Sequence, residues 1–526
     1  MQSYLKSEYV RRFSAFLFLC AFLAEAPLGI DKSGTFALYK KSADMIKEDL
    51  SNLQECFPEA FSQAEKEKCK TLFYKKLSLI AHEHYRGKMQ TLPKVPLPGF
   101  NWFNVWYTPG VSSVSTTIRD DNQTSYGLSN RHNLVAVVSD STRVLGDGDC
   151  TPPGGLGGME GKVVLMKYLG GIDAVALCMD SRTVDGSHSA EKIIDFVKMV
   201  QPSFGAINLE DISHPNCYRV LDELRESCEI PVWHDDAQGT ACVTLAGVLN
   251  ALKLAGKKLS ECKIVLYGAG AANTSIARLM ITDGADPKKM VIFSSKGTLH
   301  DGREDYRTNP NFYRQWELSR ITNPTHILTE EDAFRDADIV VAASKPGPGT
   351  IRPEWIASMA PKSIVFACAN PVPEIYPSEA KAAGAYIVAT GRGDFPNQVN
   401  NSVCFPAILK GTLLVHAKAI SDSMAIAAAH SIAAFAEERG ISTEDIIPKM
   451  TETAMFPKVA ADVAVQACKE GLARRPMRWE EAYEATRKDI AEVRAMMGLL
   501  TENGQIPSID PQWLQEALDW AVAQIR

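Results

Sequence analysis

The chain has 526 residues, of which 45% are hydrophobic and 23% charged, and its formal net charge is -7 at pH 7. This length predicts several domains, and the composition is typical of a globular protein with enough apolar residues for packed cores. There is no run of like charges, so we expect no nucleic acid as a partner, and the 12 scattered cysteines show no zinc pattern and indicate a reducing compartment.

The N-terminal segment allows two interpretations. Arg11 and Arg12 precede the short apolar run Phe13–Ala24, and small residues follow it, as in a secretory signal. The alternative is a buried helix in a helical extension over residues 1–80. The run is short for a membrane span, so we expect no membrane association. We favour the extension and a cytoplasmic location; export or organelle targeting through residues 1–26 is the alternative.

Strands and helices alternate from Leu134 onward. The pattern predicts a strand at Leu134–Ser139, a turn-rich stretch over Gly146–Gly161, helix over Lys162–Tyr168 and a strand at Ala174–Met179. Five further strands are predicted at Lys263–Tyr267, Met290–Phe293, Ile339–Ala343, Ile364–Ala369 and Tyr386–Ala389. The chain from Ile420 to its end is rich in alanine and predicted helical. This alternation indicates an α/β protein with parallel sheets.

A glycine-rich turn lies between a predicted strand and a predicted helix. It reads Gly268-Ala-Gly270-Ala-Ala-Asn273, and the helix is expected over Ala271–Asp283. The two glycines allow a tight turn and let the backbone approach a pyrophosphate at the helix N-terminus. Asn273 replaces the third glycine of the fingerprint. An ordinary strand-to-helix turn is the alternative, but this context favours a dinucleotide site.

The end of the second strand of this unit bears on the choice of cofactor. It reads Phe293-Ser294-Ser295-Lys296-Gly297, without the acidic residue that usually binds the ribose hydroxyls of NAD. Ser294, Ser295 and Lys296 are therefore candidate cofactor contacts. Lys296 or Arg303 could pair with a 2′-phosphate, which leads to the hypothesis of NADP over NAD.

Two acidic pairs follow short apolar runs. Glu210-Asp211 comes after Phe204–Leu209, and Asp235-Asp236 comes after Ile230–Trp233. Ligands bind outside the carboxyl ends of the strands in α/β sheets, and Mg²⁺ or Mn²⁺ prefers oxygen ligands. Solvated loops are the alternative for either pair alone. Their recurrence at strand ends, together with the glycine turn, predicts a metal site.

Six segments, in this order, resemble the malic enzyme family over roughly residues 80–470. They are Tyr107-Thr-Pro-Gly110, Gly158-Met-Glu-Gly-Lys162, Asn208-Leu-Glu-Asp211, His234-Asp-Asp-Ala-Gln-Gly-Thr240, Ala369-Asn-Pro-Val-Pro-Glu374 and Gly391-Arg-Gly-Asp-Phe-Pro-Asn-Gln-Val-Asn-Asn401. The resemblance implies oxidative decarboxylation of L-malate to pyruvate and CO2 with NAD or NADP and with Mn²⁺ or Mg²⁺.

The resemblance also implies a role for each matching residue. The metal ligands would be Glu210, Asp211 and Asp236. Lys162 would be the general base on the malate hydroxyl, assisted by Asp235, and Tyr107 the acid that protonates the enolpyruvate carbon. The substrate would contact Arg143, Asn370, Asn400 and Asn401, and the dinucleotide would contact Gly268, Gly270, Asn273, Ser294, Ser344 and Asn370.

The implied architecture is a substrate and metal domain followed by a Rossmann-type, doubly wound dinucleotide-binding domain. The expected boundaries give a helical extension at 1–80, the N-terminal catalytic domain at 81–245, the Rossmann domain at 246–420 and a helical segment at 421–526. Residues 1–80 match nothing in the family's pattern, and we expect a homo-oligomer, dimeric or tetrameric.

The stretch from Gly146 to Gly155 departs from the family's pattern, because Asp147 stands where an apolar residue is usual between glycines. This departure leaves a dehydrogenase of a substituted malate as an alternative. A malolactic-type enzyme that keeps its cofactor bound is another, and a non-catalytic dinucleotide-binding protein is a third.

Overall fold

The computed structural model describes residues 46–144 and 147–525, which form two compact units. The candidate signal within residues 1–26 lies outside the described residues. Of the helices in the described ranges, none has the length and apolar character needed to cross a membrane.

The first unit brings together two distant parts of the chain, residues 46–86 and 507–525. Its helices are Gln63–Tyr85 and Pro511–Ala523. The first begins with a reciprocal cap, in which Ser62 and Glu65 each bind the other's backbone N–H. Residue 80, the expected end of the helical extension, lies inside this helix. The two helices bury an apolar cluster that includes Phe73 and Leu514.

The second unit, Gly87–Ile506, contains two sheets. The first sheet is parallel and four-stranded, with the spatial order β2-β1-β3-β4. Its strands are β1 Leu134–Ser139, β2 Asp173–Cys178, β3 Ala206–Leu209 and β4 Val232–His234. The strands predicted at Leu134–Ser139 and Ala174–Met179 are thus confirmed, the second to within one residue.

The second sheet has six strands in the order β10-β9-β8-β5-β6-β7. All pairs are parallel except β6 with β7, so the sheet has the doubly wound order with a short antiparallel strand at one edge. Its strands are β5 Ile264–Tyr267, β6 Met290–Ser294, β7 Gly297–Thr298, β8 Ile339–Ala342, β9 Ile364–Ala367 and β10 Ile387–Thr390. The five predicted strands of this unit are therefore confirmed, with ends that differ by one or two residues.

Helices cover both sheets, as parallel sheets require. Those of at least ten residues are Val111–Asp120, Thr151–Gly170, Ala190–Val200, Asn216–Ser227, Thr240–Ala255, Ala271–Thr282, Phe405–Leu414, Asp422–Glu438, Met455–Lys469 and Trp479–Glu502. The helix predicted over Ala271–Asp283 and the helical C-terminal region are confirmed.

The prediction of a turn-rich stretch over Gly146–Gly161 is wrong from Thr151 onward. There the chain forms the helix Thr151–Gly170, which starts with two prolines and contains five of the glycines. Close packing explains one of these glycines, since a Cβ on Gly155 would lie 2.0 Å from Ser141 Oγ. The missing side chain of Gly155 therefore lets the helix approach Ser141, which follows β1.

His416 gives a pH-dependent contribution to stability. Its ring stacks on Tyr126 at 4.5 Å, and burial together with Arg475 and His132 lowers its pKa from 6.5 to about 4. The unfolded chain therefore binds a proton at His416 more readily than the folded chain does. The free energy of unfolding consequently decreases as the pH falls from about 6.5 toward about 4. His416→Asn, which tolerates the left-handed backbone at φ +46°, should show a smaller fall in Tm between about pH 7 and about pH 5. His430→Asn at an exposed site is the control; an equal fall in wild type and His416→Asn would contradict the assignment.

Candidate active site

The two acidic pairs meet at the carboxyl edge of the first sheet. Glu210 and Asp211 directly follow β3, Asp235 and Asp236 directly follow β4, and these strands are parallel neighbours. Carboxylate oxygens of Glu210, Asp211 and Asp236 lie within 4.8 Å of one another. The structure therefore brings together the three residues predicted as metal ligands.

The surroundings of these carboxylates fit a hard divalent cation. Asn208 donates to Glu210 Oε2 at 3.0 Å, and the backbone N–H of Asp211 donates to Asp236 Oδ2 at 2.9 Å. Burial raises the pKa of Glu210 well above its ordinary value, although Lys162 opposes the shift. Three carboxylate ligands suit Mg²⁺ or Mn²⁺, whose charge would offset the repulsion between the carboxylates.

Lys162 reaches the same cluster from the glycine-rich helix. Its Nζ lies 2.5 Å from Asp235 Oδ2 and 3.1 Å from Glu210 Oε1, and 4.7 Å from the centre of the Phe405 ring. Burial alone would lower the pKa of Lys162, but the carboxylates of Asp235, Glu210 and Asp236 outweigh it and raise the pKa. Lys162 is thus a half-buried ammonium group in direct contact with the carboxylates.

Asp235 is held in place by the turn that follows β4. Trp233 Nε1 donates to Asp235 Oδ1 at 3.3 Å, and the carboxylate is fully buried. Gly239 ends this turn, and a Cβ there would lie 2.2 Å from Asp235 Oδ1 and 3.2 Å from Asn401 Cβ. Only glycine fits between the two, so Asn401 lies beside Asp235.

The other predicted substrate contacts take different positions. The backbone N–H of Arg143 donates to Asp211 O at 3.0 Å, and its side chain is exposed. Asn400 Oδ1 accepts from Ser402 N at 3.0 Å and caps a short helix. Asn370 follows β9, with its amide against Gly391. Arg143 and Asn401 thus adjoin the cluster, and Asn400 has a structural bond of its own.

Tyr107 lies on the surface of the chain. Its side chain is 70% exposed, and among the described residues its hydroxyl has no hydrogen-bond partner. Its neighbours Phe100, Trp102 and Trp106 are also exposed. The described contacts include none that joins Tyr107 to Lys162.

The glycine turn lies where the second sheet reverses its strand order, after β5 and beside β8. Gly268 has φ +111°, and a Cβ there would lie 2.5 Å from Ala343 O, so the position needs glycine. Asn273 is buried, and its amide donates to Tyr267 O, Gly268 O and Val341 O. Asn273 therefore braces the turn, while Gly270 directly precedes the helix whose N-terminus faces a phosphate in such folds.

The turn between β6 and β7 contains the candidates for the ribose end of the cofactor. Ser294 Oγ donates to Gly297 O at 2.7 Å, whereas Ser295 and Lys296 are exposed. Arg303 is already engaged, because its guanidinium makes two bonds to Asp305 and one to Thr298 O. Lys296 is thus better placed than Arg303 to meet a 2′-phosphate.

Three supporting residues were missed by the sequence interpretation. Glu374, fully buried, accepts from the backbone N–H of Ser344 and Ala369, and so joins the ends of β8 and β9. The sequence indicated Glu374 only through its position at the end of the motif Ala369–Glu374. Asn208 stood out as a polar residue within an apolar strand. Nothing in the sequence marked Phe405.

Comparisons with known proteins identify the family of the chain. Models of the malic enzyme N-terminal domain and the malic enzyme NAD-binding domain match residues 86–225 and 237–471. The bifunctional malic/malolactic enzyme of Bacillus subtilis is 40% identical over 412 residues, covering 78% of this chain and 97% of that protein. The NAD-dependent malic enzyme of Geobacillus stearothermophilus is 40% identical over 393 residues, covering 74% and 79%.

A solved structure is also similar along most of its length. The Entamoeba histolytica malic enzyme is 57% identical, with a TM-score of 0.88, and the match covers 91% of this chain and 99% of that one. The matched domains include Lys162, Glu210, Asp211 and the glycine turn, whereas Asp235 and Asp236 lie between the two matched ranges. The chain therefore belongs to the malic enzyme family of nicotinamide-dependent oxidoreductases.

Proposed function

We propose that the protein catalyses oxidative decarboxylation of L-malate to pyruvate and CO2, with reduction of NAD(P)⁺ and with Mn²⁺ or Mg²⁺ held by Glu210, Asp211 and Asp236. The observation that carries the proposal is the contact of Lys162 with Asp235 and Glu210 beside three converging carboxylates. It supplies a proton acceptor and a cation site at one sheet edge.

In this proposal Lys162, assisted by Asp235, accepts the hydroxyl proton of malate while the hydride leaves C2 for the nicotinamide. The raised pKa keeps the resting lysine protonated, so Lys162 must release a proton to Asp235 or to solvent before it accepts one. Glu210, Asp211 and Asp236 would hold the divalent cation, which would supply Lewis-acid charge and would offset the negative charge of the carboxylates around Lys162. Asn401, beside Asp235, orients a substrate carboxylate.

In the proposed enzyme, Tyr107 acts in the active site of a second copy of the chain. As the acid for the enolpyruvate carbon it needs a closed, dry site, yet in one chain it is exposed among Phe100, Trp102 and Trp106. An exposed apolar group of this kind is typical of a protein interface. We propose a homo-oligomer, with a dimer as its minimum, in which Tyr107 of each copy serves the Lys162 site of another.

Mixing two inactive variants tests the shared site. Tyr107→Phe and Lys162→Met are each expected to be inactive, whereas co-expressed copies should recover about a quarter of wild-type activity. Half of random dimers are mixed, and each of these has one site with both residues intact. No recovery in verified mixed oligomers would contradict the shared site without affecting the proposed reaction.

For the cofactor we propose NADP over NAD, supported by Lys296 and by the missing carboxylate after β6. The relative from Geobacillus stearothermophilus, by contrast, is named NAD-dependent. Lys296→Ala should raise KM for NADP about tenfold and leave KM for NAD unchanged, because only NADP has the phosphate that pairs with lysine. A wild-type kcat/KM that is equal for the two, or higher for NAD, would contradict this choice.

One assay separates the proposed reaction from its alternatives. Purified protein with L-malate, Mn²⁺ and either dinucleotide should produce the reduced dinucleotide and pyruvate in equal amounts. Lactate without reduced dinucleotide would favour the malolactic reaction, which the name of the Bacillus subtilis relative makes the second candidate. Turnover only with a 3-substituted malate would favour a dehydrogenase of a substituted malate. No turnover with any of these substrates would favour a non-catalytic dinucleotide-binding protein.

We also propose a cytoplasmic location, supported by the free state of the described cysteines. Domain boundaries near residues 80, 245 and 420 remain part of the proposal. Release of an N-terminal peptide ending near residue 26, detected by sequencing the protein from its source, would instead favour export or organelle targeting.

A further inference from the structure

A second group of metal-binding side chains lies on the edge of the dinucleotide-binding sheet, beyond β7. It consists of His300, Asp301 and His326, whose ligand atoms all lie within 4.8 Å of one another. His326 Nε2 is 2.6 Å from Asp301 Oδ1, and the rings of His300 and His326 are 4.4 Å apart. None of the roles proposed above uses these three side chains.

The two loops that carry this group are held together by buried bonds. Asn323 is almost fully buried and donates to Leu299 O at 3.2 Å and to Ile327 O at 2.9 Å. Thr298 Oγ1 also donates to Ile327 O at 2.8 Å. The histidines therefore project from loops fixed relative to each other before any ligand binds, which lowers the entropic cost of binding.

Gly302 packs against the two histidine rings. Position 302 is glycine, and a Cβ there would come within 3.1 Å of His300 Nδ1 and 3.8 Å of the ring of His326. Donors in a tetrahedral zinc site lie about 3.3 Å apart, so small rotations of these side chains suffice to close the site. His326 and Asp301 are exposed, which leaves a fourth position for water.

We propose that His300, Asp301 and His326 form a binding site for a borderline transition-metal ion of the Zn²⁺ or Ni²⁺ class, separate from the carboxylate site. Two imidazoles and one carboxylate prefer such ions to Mg²⁺, whereas Glu210, Asp211 and Asp236 offer oxygen alone. A bound ion links the loop after β7 to the loop that holds His326.

Equilibrium dialysis against Ni²⁺, with the full chain free of any histidine tag and with excess Mg²⁺, tests the site. We expect about one more Ni²⁺ per chain in the wild type than in His326→Ala or His300→Ala, and the same difference in an Asp236→Asn background. His430→Ala is the matched control, because His430 is exposed, pairs with Asp283 at 2.9 Å and belongs to no such group among the described residues.

Both histidine variants should keep wild-type Tm in the absence of Ni²⁺ and wild-type activity with Mg²⁺. Asp301→Asn, which keeps the size of the side chain, should weaken Ni²⁺ binding about tenfold or more. Equal Ni²⁺ retention in the wild type and the histidine variants would overturn the proposal, as would loss of Ni²⁺ in His430→Ala.

Discussion

Lys162→Met is expected to lower kcat for malate oxidation about a thousandfold or more, because it removes the group proposed to accept the hydroxyl proton. It also leaves Asp235 buried without its cation, which costs about 3–5 kcal/mol of stability in comparable pairs. Thermal unfolding of the variant must therefore accompany the assay of reduced dinucleotide.

Two further variants separate chemistry from stability. Lys162→Arg keeps a positive charge beside Asp235, yet a guanidinium does not release its proton, so kcat should still fall about a hundredfold or more. Lys167→Met removes another paired lysine of the same helix, 2.6 Å from Asp173, and should leave kcat near the wild-type value. A Lys162→Arg enzyme with more than a tenth of wild-type kcat would contradict the role of Lys162 as the base.

Asp236→Asn is expected to weaken Mn²⁺ binding about a hundredfold and to lower kcat/KM by a similar factor. The amide oxygen can still accept the bond from Asp211 N, so the change removes a charge and a strong ligand while keeping the local hydrogen bond. Binding is measured by the loss of the free Mn²⁺ signal in electron paramagnetic resonance.

Asp180→Asn serves as the control for this variant. Asp180 lies just beyond β2, at the same edge of the sheet, but outside the group formed by Glu210, Asp211 and Asp236. Its loss should leave Mn²⁺ affinity unchanged. Unchanged affinity in Asp236→Asn as well would show that the ligand assignment is wrong.

The sequence predicted those features that depend on local pattern. The strands around β5 and the acidic pairs after β3 and β4 were located because apolar runs and strand ends are read from neighbouring residues. The glycine turn at Gly268 was also visible, since its conformation and its close approach to Ala343 both demand glycine.

The features that local pattern did not reveal depend on distant contacts. Glycines normally predict turns, but Gly155 lies in a helix, at a position where Ser141 leaves no room for a side chain. The contact between Glu374 and Ser344 spans thirty positions. Tyr107 was assigned from its motif, and no pattern in one chain could show that its side chain lies on the surface.

The first unit also has a consequence for synthesis on the ribosome. The helix Gln63–Tyr85 buries Cys69 and Phe73 against the helix Pro511–Ala523, which emerges about 430 residues later. At a translation rate of roughly 5–20 residues per second, the apolar face of the first helix remains without its partner helix for on the order of 20 to 90 seconds. We therefore expect this exposed apolar face to bind chaperones during translation, and a ribosome-bound chain stalled before residue 511 should retain them longer than the completed protein does.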